Sequence, residues 1–383
     1  MRIDKVIIHQ VKLPFLFDFS HSLRKRSHVD NIIVEIIAQQ EKIIGYGEGA
    51  PRSYVTGESI ESIAKSIRRF IKHDTFPRKL NDISQIWNFI DEITRGREHN
   101  AAICALETGL LDALGKSQDR HIIDYFSKDF ITGNVHYGAP IPLGDNQKIM
   151  KICRLIKKMK INALRLKLGK NFEQNKTILE TVRSVFGKDC DLRVDINCAW
   201  DKKLAVRHIP LIQKYNVTAI EQPMMPDNPD IADFAGLMQN IGVILMADES
   251  ACSFDDVEKI VKEGHYKMIN VRLSKCGGFK NSSGIIDYLR LNGIPFQVGC
   301  QLGESGILSA AGRVLCLLCR DAVYYDGSYD EFLLKENVTF ENVSFGEEGK
   351  AGPLNSPGLG VTVSPQRLKN ISYDCNMISI STP

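Results

Sequence analysis

The segment that decides the fold is Val217-Thr218-Ala219-Ile220-Glu221, a short run of β-branched and other apolar residues that ends on a carboxylate. A similar run at 192–195 ends on Asp195, and another at 243–248 ends on Asp248. The three acids are 26 and 27 residues apart, which is the length of one strand, one helix and their connections. Units of this length predict successive parallel strands, each with an acid at its end.

The same spacing continues on both sides of this segment. Further apolar runs lie at 163–168 and 268–272, and short runs of this kind recur from about residue 134 onward. At least six or seven strand–helix units in about 200 residues favour a closed barrel over an open sheet. The expected fold class is therefore α/β, with a TIM-type (β/α) barrel over residues 129–352.

The N-terminal part of the chain has a different pattern. Residues 1–13 and 29–45 are rich in β-branched side chains and predict strands, whereas helical periodicity dominates from 59 to about 116. Strands followed by helices predict a separate α+β domain over residues 1–128. The last stretch, 353–383, begins with several glycines and prolines, and we expect it to leave the barrel and pack back on the first domain.

Composition narrows the classes of function. The chain has 383 residues, of which 43% are hydrophobic and 25% charged, with a formal net charge of +3. This balance differs from the clustered basic surface of a nucleic-acid-binding protein, and no apolar run reaches the roughly 18 residues of a membrane span. The first residues lack a secretory signal and the ten cysteines are scattered, so a reducing, cytoplasmic location is expected.

Asp195, Glu221 and Asp248 form the first candidate site. The C-terminal ends of adjacent parallel strands lie side by side at the mouth of such a barrel, where the active site is found. Three carboxylates in one place repel one another unless a cation neutralises them, and all-oxygen ligands suit Mg2+ first and Mn2+ second. Each acid taken alone could instead cap a helix, but their matched positions favour a metal site.

Basic residues flank the acids on the neighbouring strands. Lys167 ends the strand before Asp195, and Arg165 lies two residues earlier on the same side of that strand. Arg272 lies on the strand after Asp248. A lysine near a metal ion and another cation can give up its proton readily enough to act as a base. The alternative for each basic residue is a structural salt bridge to a strand-end acid.

Together these motifs resemble the muconate-lactonizing branch of the enolase superfamily. The resemblance covers nearly the whole chain and rests on Arg165-Leu166-Lys167, Asp195-Ile196-Asn197, Glu221-Gln222-Pro223, Asp248-Glu249-Ser250, Lys275-Cys276-Gly277-Gly278, Gly299-Cys300-Gln301-Leu302-Gly303-Glu304-Ser305 and Pro357-Gly358-Leu359-Gly360-Val361. It implies the modified barrel of enolase with an N-terminal α+β capping domain. It also implies a homo-oligomer, because barrels of this branch are often multimers.

The resemblance implies chemistry on a small-molecule carboxylate. In this family a metal ion binds the substrate carboxylate and stabilises the enediolate formed when the α-proton leaves. The metal ligands would be the three strand-end acids, Asp195, Glu221 and Asp248. Asn197 and Glu249 would orient those ligands. Lys167 matches the second lysine of the family's Lys-x-Lys motif and would be the acid/base.

Two departures from the family pattern narrow the reaction. The first lysine of the motif is Arg165 here, and the opposing lysine of the family's racemases is Arg272. Arginine stays protonated at ordinary pH, so it exchanges protons poorly but serves well as a fixed cation. We therefore expect an isomerase of cycloisomerase character that uses Lys167 alone. The alternatives are a racemase or epimerase of amino-acid derivatives or dipeptides, a syn-eliminating lyase of the o-succinylbenzoate synthase kind, and a non-catalytic metal-binding descendant.

The resemblance places substrate contacts in two loops of the cap. Arg24 and Arg26 lie in a basic loop that closes over the site in this family, and Arg52 and Tyr54 lie in the next loop. One of these side chains would meet a distal carboxylate of the substrate. A solvated basic loop is the alternative.

Two further substrate contacts are expected at the last strand ends, Glu304 and Asp326. Asp326 matches the first acid of the Asp-x-Asp motif with which dipeptide epimerases of this branch hold the substrate ammonium. The second acid of that motif is Ser328 here. An ordinary dipeptide substrate is therefore less expected than in those enzymes.

Overall fold

The computed structural model describes residues 1–21 and 24–380, without the side chains of residues 18–26. Its first part is an antiparallel sheet formed by β1 (Ile3–His21), β2 (Arg24–Ala38) and β3 (Ile43–Gly49). Most of the described apolar side chains of these strands are buried, and helices cover the sheet: α1 (Ile60–Ile71), α2 (Ile83–Ile93) and α3 (Asn100–Ser117). This α+β part caps the remainder of the chain.

Helix α3 lies against the backbone of β3 and is buried on all sides over residues 100–115. Glycines on β3 make this close approach feasible. A Cβ atom added at Gly47 would lie 2.0 Å from the carbonyl oxygen of Ala105, which no side chain could tolerate. The cap and its central helix therefore form one tightly packed body.

The second part is a parallel sheet whose strands follow one another in chain order. A short strand, β4 (Val135–His136), precedes it. Its strands are β5 (Ala139–Ile141), β6 (Ala163–Lys167), β7 (Asp191–Asp195), β8 (Ala219–Glu221), β9 (Ile244–Ala247), β10 (Met268–Arg272), β11 (Phe296–Gly299) and β12 (Tyr324–Tyr325). A backbone hydrogen bond of 2.8 Å from Gly138 N to Tyr325 O links the beginning of this sheet to its end.

Helices connect these strands and bury their apolar outer faces. They are α4 (Asn146–Lys158), α5 (Phe172–Phe186), α6 (Lys202–Lys214), α7 (Ile231–Asn240), α8 (Phe254–Glu263), α9 (Leu273–Cys276), α10 (Gly278–Leu291), α11 (Gly306–Leu317) and α12 (Asp330–Leu333). Most begin with a side-chain cap, such as Ser305 on α11. The predicted TIM-type barrel with an α+β cap is confirmed.

The end of the chain returns to the cap. A short strand, β13 (Lys350–Ala351), pairs with β4, and after α13 (Pro365–Ile371) the last strand, β14 (Ser372–Ser379), pairs antiparallel with β1. The division of the chain at residues 128 and 352 stays a prediction. In the part of the chain that the structure describes, every helix is too short or too polar to cross a membrane.

Candidate active site

The three predicted metal ligands end neighbouring strands of the barrel. Asp195 and Glu221 are the last residues of β7 and β8 and are direct partners in the sheet register, while Asp248 follows β9 immediately. All three side chains are fully buried. The spacing of the strand–helix units thus brings the carboxylates to one edge of the barrel, as predicted.

Two arginines lie between these carboxylates. Arg272 donates through Nη2 to Glu221 Oε1 at 3.2 Å and also to Asp248 Oδ2. Arg165 places its Nη1 atom 3.5 Å from Glu221 Oε2 and 3.7 Å from Asp195 Oδ2. Each neighbouring pair of acids is therefore bridged by a guanidinium group, which neutralises much of their mutual repulsion.

Lys167 is the amine of the site. Its Nζ atom donates to Asp195 Oδ2 at 2.5 Å and to Asn197 Oδ1 at 2.6 Å, and its side chain lines the cavity over the strand ends. Asn197 in turn donates to Glu249 Oε1 at 3.0 Å. Burial and the nearby carboxylates of Asp248 and Asp195 raise the pKa of Glu249 to about 8. Asn197 therefore positions both Lys167 and Glu249, the acid behind the predicted metal ligands.

Two residues that the sequence reasoning did not assign also hold the ligands. Lys275 donates to Asp248 Oδ1 at 3.0 Å and to the carbonyl oxygen of Asn270 at 2.6 Å. Asn270 donates through its side chain to Glu221 Oε1 at 2.8 Å. Asn270 could have been found from strand alternation, because it lies two residues before Arg272 on β10. Lys275 could not, because the strand ends before it and α9 turns its side chain back toward the ligands.

Asp326 forms ion pairs with two arginines. Its carboxylate lies 3.3 Å from Arg165 Nε and 3.3 Å from Arg193 Nη2, and Tyr329 donates to it. Although burial opposes ionisation, Arg165 and Arg193 lower the pKa of Asp326 to about 2. The predicted ammonium-binding acid is therefore already neutralised by internal cations.

The predicted substrate contacts on the cap lie in different places in the structure. Tyr54 lines the cavity. The structure places Arg52 outside it: the guanidinium donates to Asn31 Oδ1 at 3.0 Å and to the carbonyl oxygen of Leu302, at the junction of cap and barrel. The guanidinium of Arg52 is buried among backbone acceptors, so its hydrogen bonds stabilise the fold. The side chains of Arg24 and Arg26 lie outside the described residues.

Glu304 lines the same cavity from the loop after β11. Its Oε1 atom accepts a hydrogen bond from Gln301 N at 2.6 Å. Burial raises the pKa of Glu304 to about 8. At neutral pH the carboxyl group is therefore mainly protonated and can donate a hydrogen bond to an anionic ligand.

The three acids suit a divalent cation by their chemistry. They are buried oxygen ligands at one edge of the barrel, and no described residue donates a hydrogen bond to Glu221 Oε2. Among the described residues, no three His, Cys, Asp or Glu side chains stand close enough together, as placed, to hold a metal ion. The guanidinium of Arg272 occupies the space between two of the acids, so an ion that binds both must displace it.

Comparison with known proteins supports the resemblance. The family model described as enolase C-terminal domain-like matches residues 149–367. The hydrophobic dipeptide epimerase of Enterococcus faecalis is 28% identical over 81% of this chain and 86% of its own. The solved N-succinyl Arg/Lys racemase from Bacillus cereus has the same fold, with a TM-score of 0.86 and 23% identity over 99% of this chain and 100% of its own.

The muconate-lactonizing branch is represented among the solved structures as well. The 2-chloromuconate cycloisomerase from Rhodococcus opacus superimposes with a TM-score of 0.85 and 20% identity, over 98% of this chain and 100% of its own. At this identity the likeness concerns the fold. The predicted relationship is confirmed, and the chain belongs to the enolase C-terminal domain-like family.

Proposed function

We propose that this protein is a Mg2+-dependent isomerase that removes the α-proton of a small-molecule carboxylate through Lys167. The observation that carries the proposal is the position of Lys167, whose amine lies at the cavity between Asp195 and Asn197. Relatives named as epimerases and a racemase support the isomerase class. Solved dipeptide epimerases complexed with Mg support the metal, and Mn2+ is the second choice.

The chain's own residues account for each part of the reaction. Lys167, in its neutral form, takes the α-proton at Nζ and can return it to the same face of the product. Arg165 and Arg272 provide fixed positive charge beside the developing anion. Asp195, Glu221 and Asp248 would hold Mg2+, which supplies Lewis-acid stabilisation of the enediolate when bound.

Arg272 decides which isomerisation the geometry favours. Inversion at the α-carbon needs a proton donor on the face opposite Lys167, and the family's racemases use a lysine there. Burial opposes the charge on Arg272, but Asp248 and Glu221 outweigh it and raise its pKa far above the ordinary value. One-base chemistry, as in a cycloisomerisation, is therefore our leading proposal. Epimerisation is the alternative, and it is the one that the comparisons favour, because relatives of similar length carry that activity in their names.

The test is proton exchange at the α-carbon in D2O. The Mg2+-supplemented protein is incubated with N-acyl amino acids, dipeptides and unsaturated di-acids and followed by 1H NMR, beside Lys167→Ala. We expect exchange or product formation with retained configuration, lost by at least about 100-fold in Lys167→Ala. Inversion would favour epimerisation, and exchange that persists in Lys167→Ala would refute the assigned base.

We also propose that the protein works in the cytoplasm as a homo-oligomer. Both statements follow from the family resemblance and composition. Light scattering of the purified protein measures the oligomeric state directly, and a monomer at micromolar concentration would contradict the proposal.

A further inference from the structure

The cavity over the strand ends, about 280 Å3 in volume, continues into an apolar groove along α4. Apolar side chains of that helix lie in its wall at the spacing i, i+3, i+4 and i+7, which is one face of a helix: Ile152, Leu155, Ile156 and Met159. Seven residues of helix span about 10 Å. The groove is therefore long enough for an extended chain.

The fold explains why the groove is open. On the side opposite α4, the last strand–helix unit ends in α12, which has only four residues. Phe332 on α12 is 37% exposed and Leu155 on α4 is 54% exposed, although both line the cavity. Large apolar side chains left uncovered beside a catalytic cavity indicate an apolar ligand.

Among the residues whose side chains the structure describes, the cations that line the cavity are confined to its strand-end part, while two acids, Glu304 and Asp330, line it from the loop after β11 and from α12. Among the described residues that line it, the cations are Arg165, Lys167 and Arg272, all on or at the ends of β6 and β10. Among these described residues, none on α4 or α12 offers a cation to a second carboxylate, so the described wall of the groove disfavours a di-acid.

A free ammonium group is disfavoured for a separate reason. Asp326 is paired with Arg165 and Arg193 at 3.3 Å each, and both partners are buried with it. A substrate ammonium would have to break these pairs to gain the carboxylate. At this position the site thus suits a substrate whose nitrogen is acylated or absent.

We propose that the substrate is a monocarboxylate with a long apolar group and no free ammonium, for example an amino acid acylated by a medium-length fatty acid. This rests on the proposed function, since Lys167 and the arginines fix where the carboxylate end lies. The apolar group lies along α4, because the groove and the catalytic end form one continuous cavity.

Binding of matched ligands tests the proposal. Calorimetry on the Mg2+-supplemented protein compares N-octanoyl-, N-succinyl- and N-acetyl-alanine with the dipeptide alanyl-alanine. We expect the octanoyl compound to bind at least about tenfold more tightly than each of the others, because its extra methylene groups are buried. Equal affinities, absence of binding, or a preference for the succinyl compound or the dipeptide would overturn the proposal.

Variants of α4 locate the apolar group. Leu155→Lys should remove the octanoyl preference and improve succinyl binding relative to acetyl binding. Gln147→Lys adds the same charge to an exposed position of the same helix outside the cavity and should leave all affinities unchanged. Unchanged octanoyl binding in Leu155→Lys would refute the assigned groove, and loss of self-association in that variant would identify the groove as a contact between copies.

Proton exchange in the same samples separates this proposal from the function on which it rests. Tight octanoyl binding without exchange would leave the substrate class standing and contradict the proposed reaction. Exchange confined to di-acids or dipeptides would support the reaction and overturn the substrate class.

Discussion

At the scale of single residues, the two arginines between the carboxylates distinguish this site. Arg165 and Arg272 stand where the family resemblance places lysines, and their guanidinium groups bridge the carboxylates in pairs. A lysine offers one compact charge, whereas an arginine spans two acids with a planar fork. Arginines at these positions therefore exchange protons poorly. In the absence of a bound ion, they also neutralise the acids in pairs.

The first prediction concerns the competition between Arg272 and the metal. Arg272→Met should bind Mn2+ or Mg2+ at least about tenfold more tightly, because the ion no longer displaces a guanidinium from Glu221 and Asp248. Calorimetry or the electron paramagnetic resonance of free Mn2+ measures the affinity. Arg320→Met, an exposed arginine outside the site, is the matched control. Weaker binding in Arg272→Met would show that the arginine assists the ion.

At the scale of elements, buried polar side chains of α3 hold segments of the barrel to the cap. Glu107 on α3 accepts hydrogen bonds from the backbone N–H groups of Phe279 and Lys280, the latter at 2.9 Å, in the first turn of α10. The same helix reaches the barrel through Asn100, which donates to the carbonyl oxygen of Cys252 at 2.7 Å. Helix α3 thus supplies the N-terminal cap that α10 lacks in its own sequence, and it adds a hydrogen bond to the loop before α8.

The second prediction is a pH dependence of stability that originates at Glu107. Burial raises the pKa of its carboxyl group to about 8 in the folded state, from 4.5. Its stabilising contribution is therefore complete below about pH 4.5 and is lost as the pH rises through about 8, each pKa unit being worth about 1.4 kcal/mol.

The unfolding free energies of the natural protein and Glu107→Gln, measured in urea from pH 5 to 9, check this prediction. As the pH rises, the natural protein should lose unfolding free energy relative to Glu107→Gln. Other buried acids, such as Glu58 and Glu304, titrate in both proteins and cancel in the comparison. A difference that stays constant, or that grows in favour of the natural protein, would contradict the assignment.

At the scale of the whole molecule, the cap and barrel meet around one buried acid. Glu48 on β3 accepts from Asn31 Nδ2 at 2.6 Å, from Ser305 Oγ at 2.6 Å and from Leu308 N at 3.0 Å. Ser305 and Leu308 belong to the start of α11, whereas Asn31 lies on β2. A single side chain therefore ties two strands of the cap sheet to the start of α11, next to the loop that carries Glu304.

The third prediction follows from these contacts. Glu48→Ala should lower the free energy of unfolding by about 3 kcal/mol or more, because several buried donors lose their acceptor at once. Glu48→Gln should cost less, since an amide oxygen can still accept. Urea unfolding measures both, with the exposed Glu92→Ala on α2 as the control. A loss within about 0.5 kcal/mol of the control would refute the role of Glu48.

The outline of the fold and the candidate trio could be predicted because their signals are local. Apolar runs ending on Asp195, Glu221 and Asp248 at nearly equal intervals define strand–helix units, and parallel units of one handedness align their ends. The same alternation placed Arg165 beside Lys167. The confirmed barrel came from this pattern and the confirmed family membership from the resemblance of the motifs, whereas the roles of the site residues stay proposals.

The tertiary structure alone decided what these side chains contact. Arg52 serves the cap–barrel junction rather than the cavity, Lys275 turns back to Asp248, and the arginines lie between the acids. The groove along α4 likewise depends on the shortness of α12, far away in the chain. Periodicity determines which way a side chain leaves its own strand or helix, but its partners depend on how distant segments pack, because buried charges pair with whatever opposite charge the fold brings within reach.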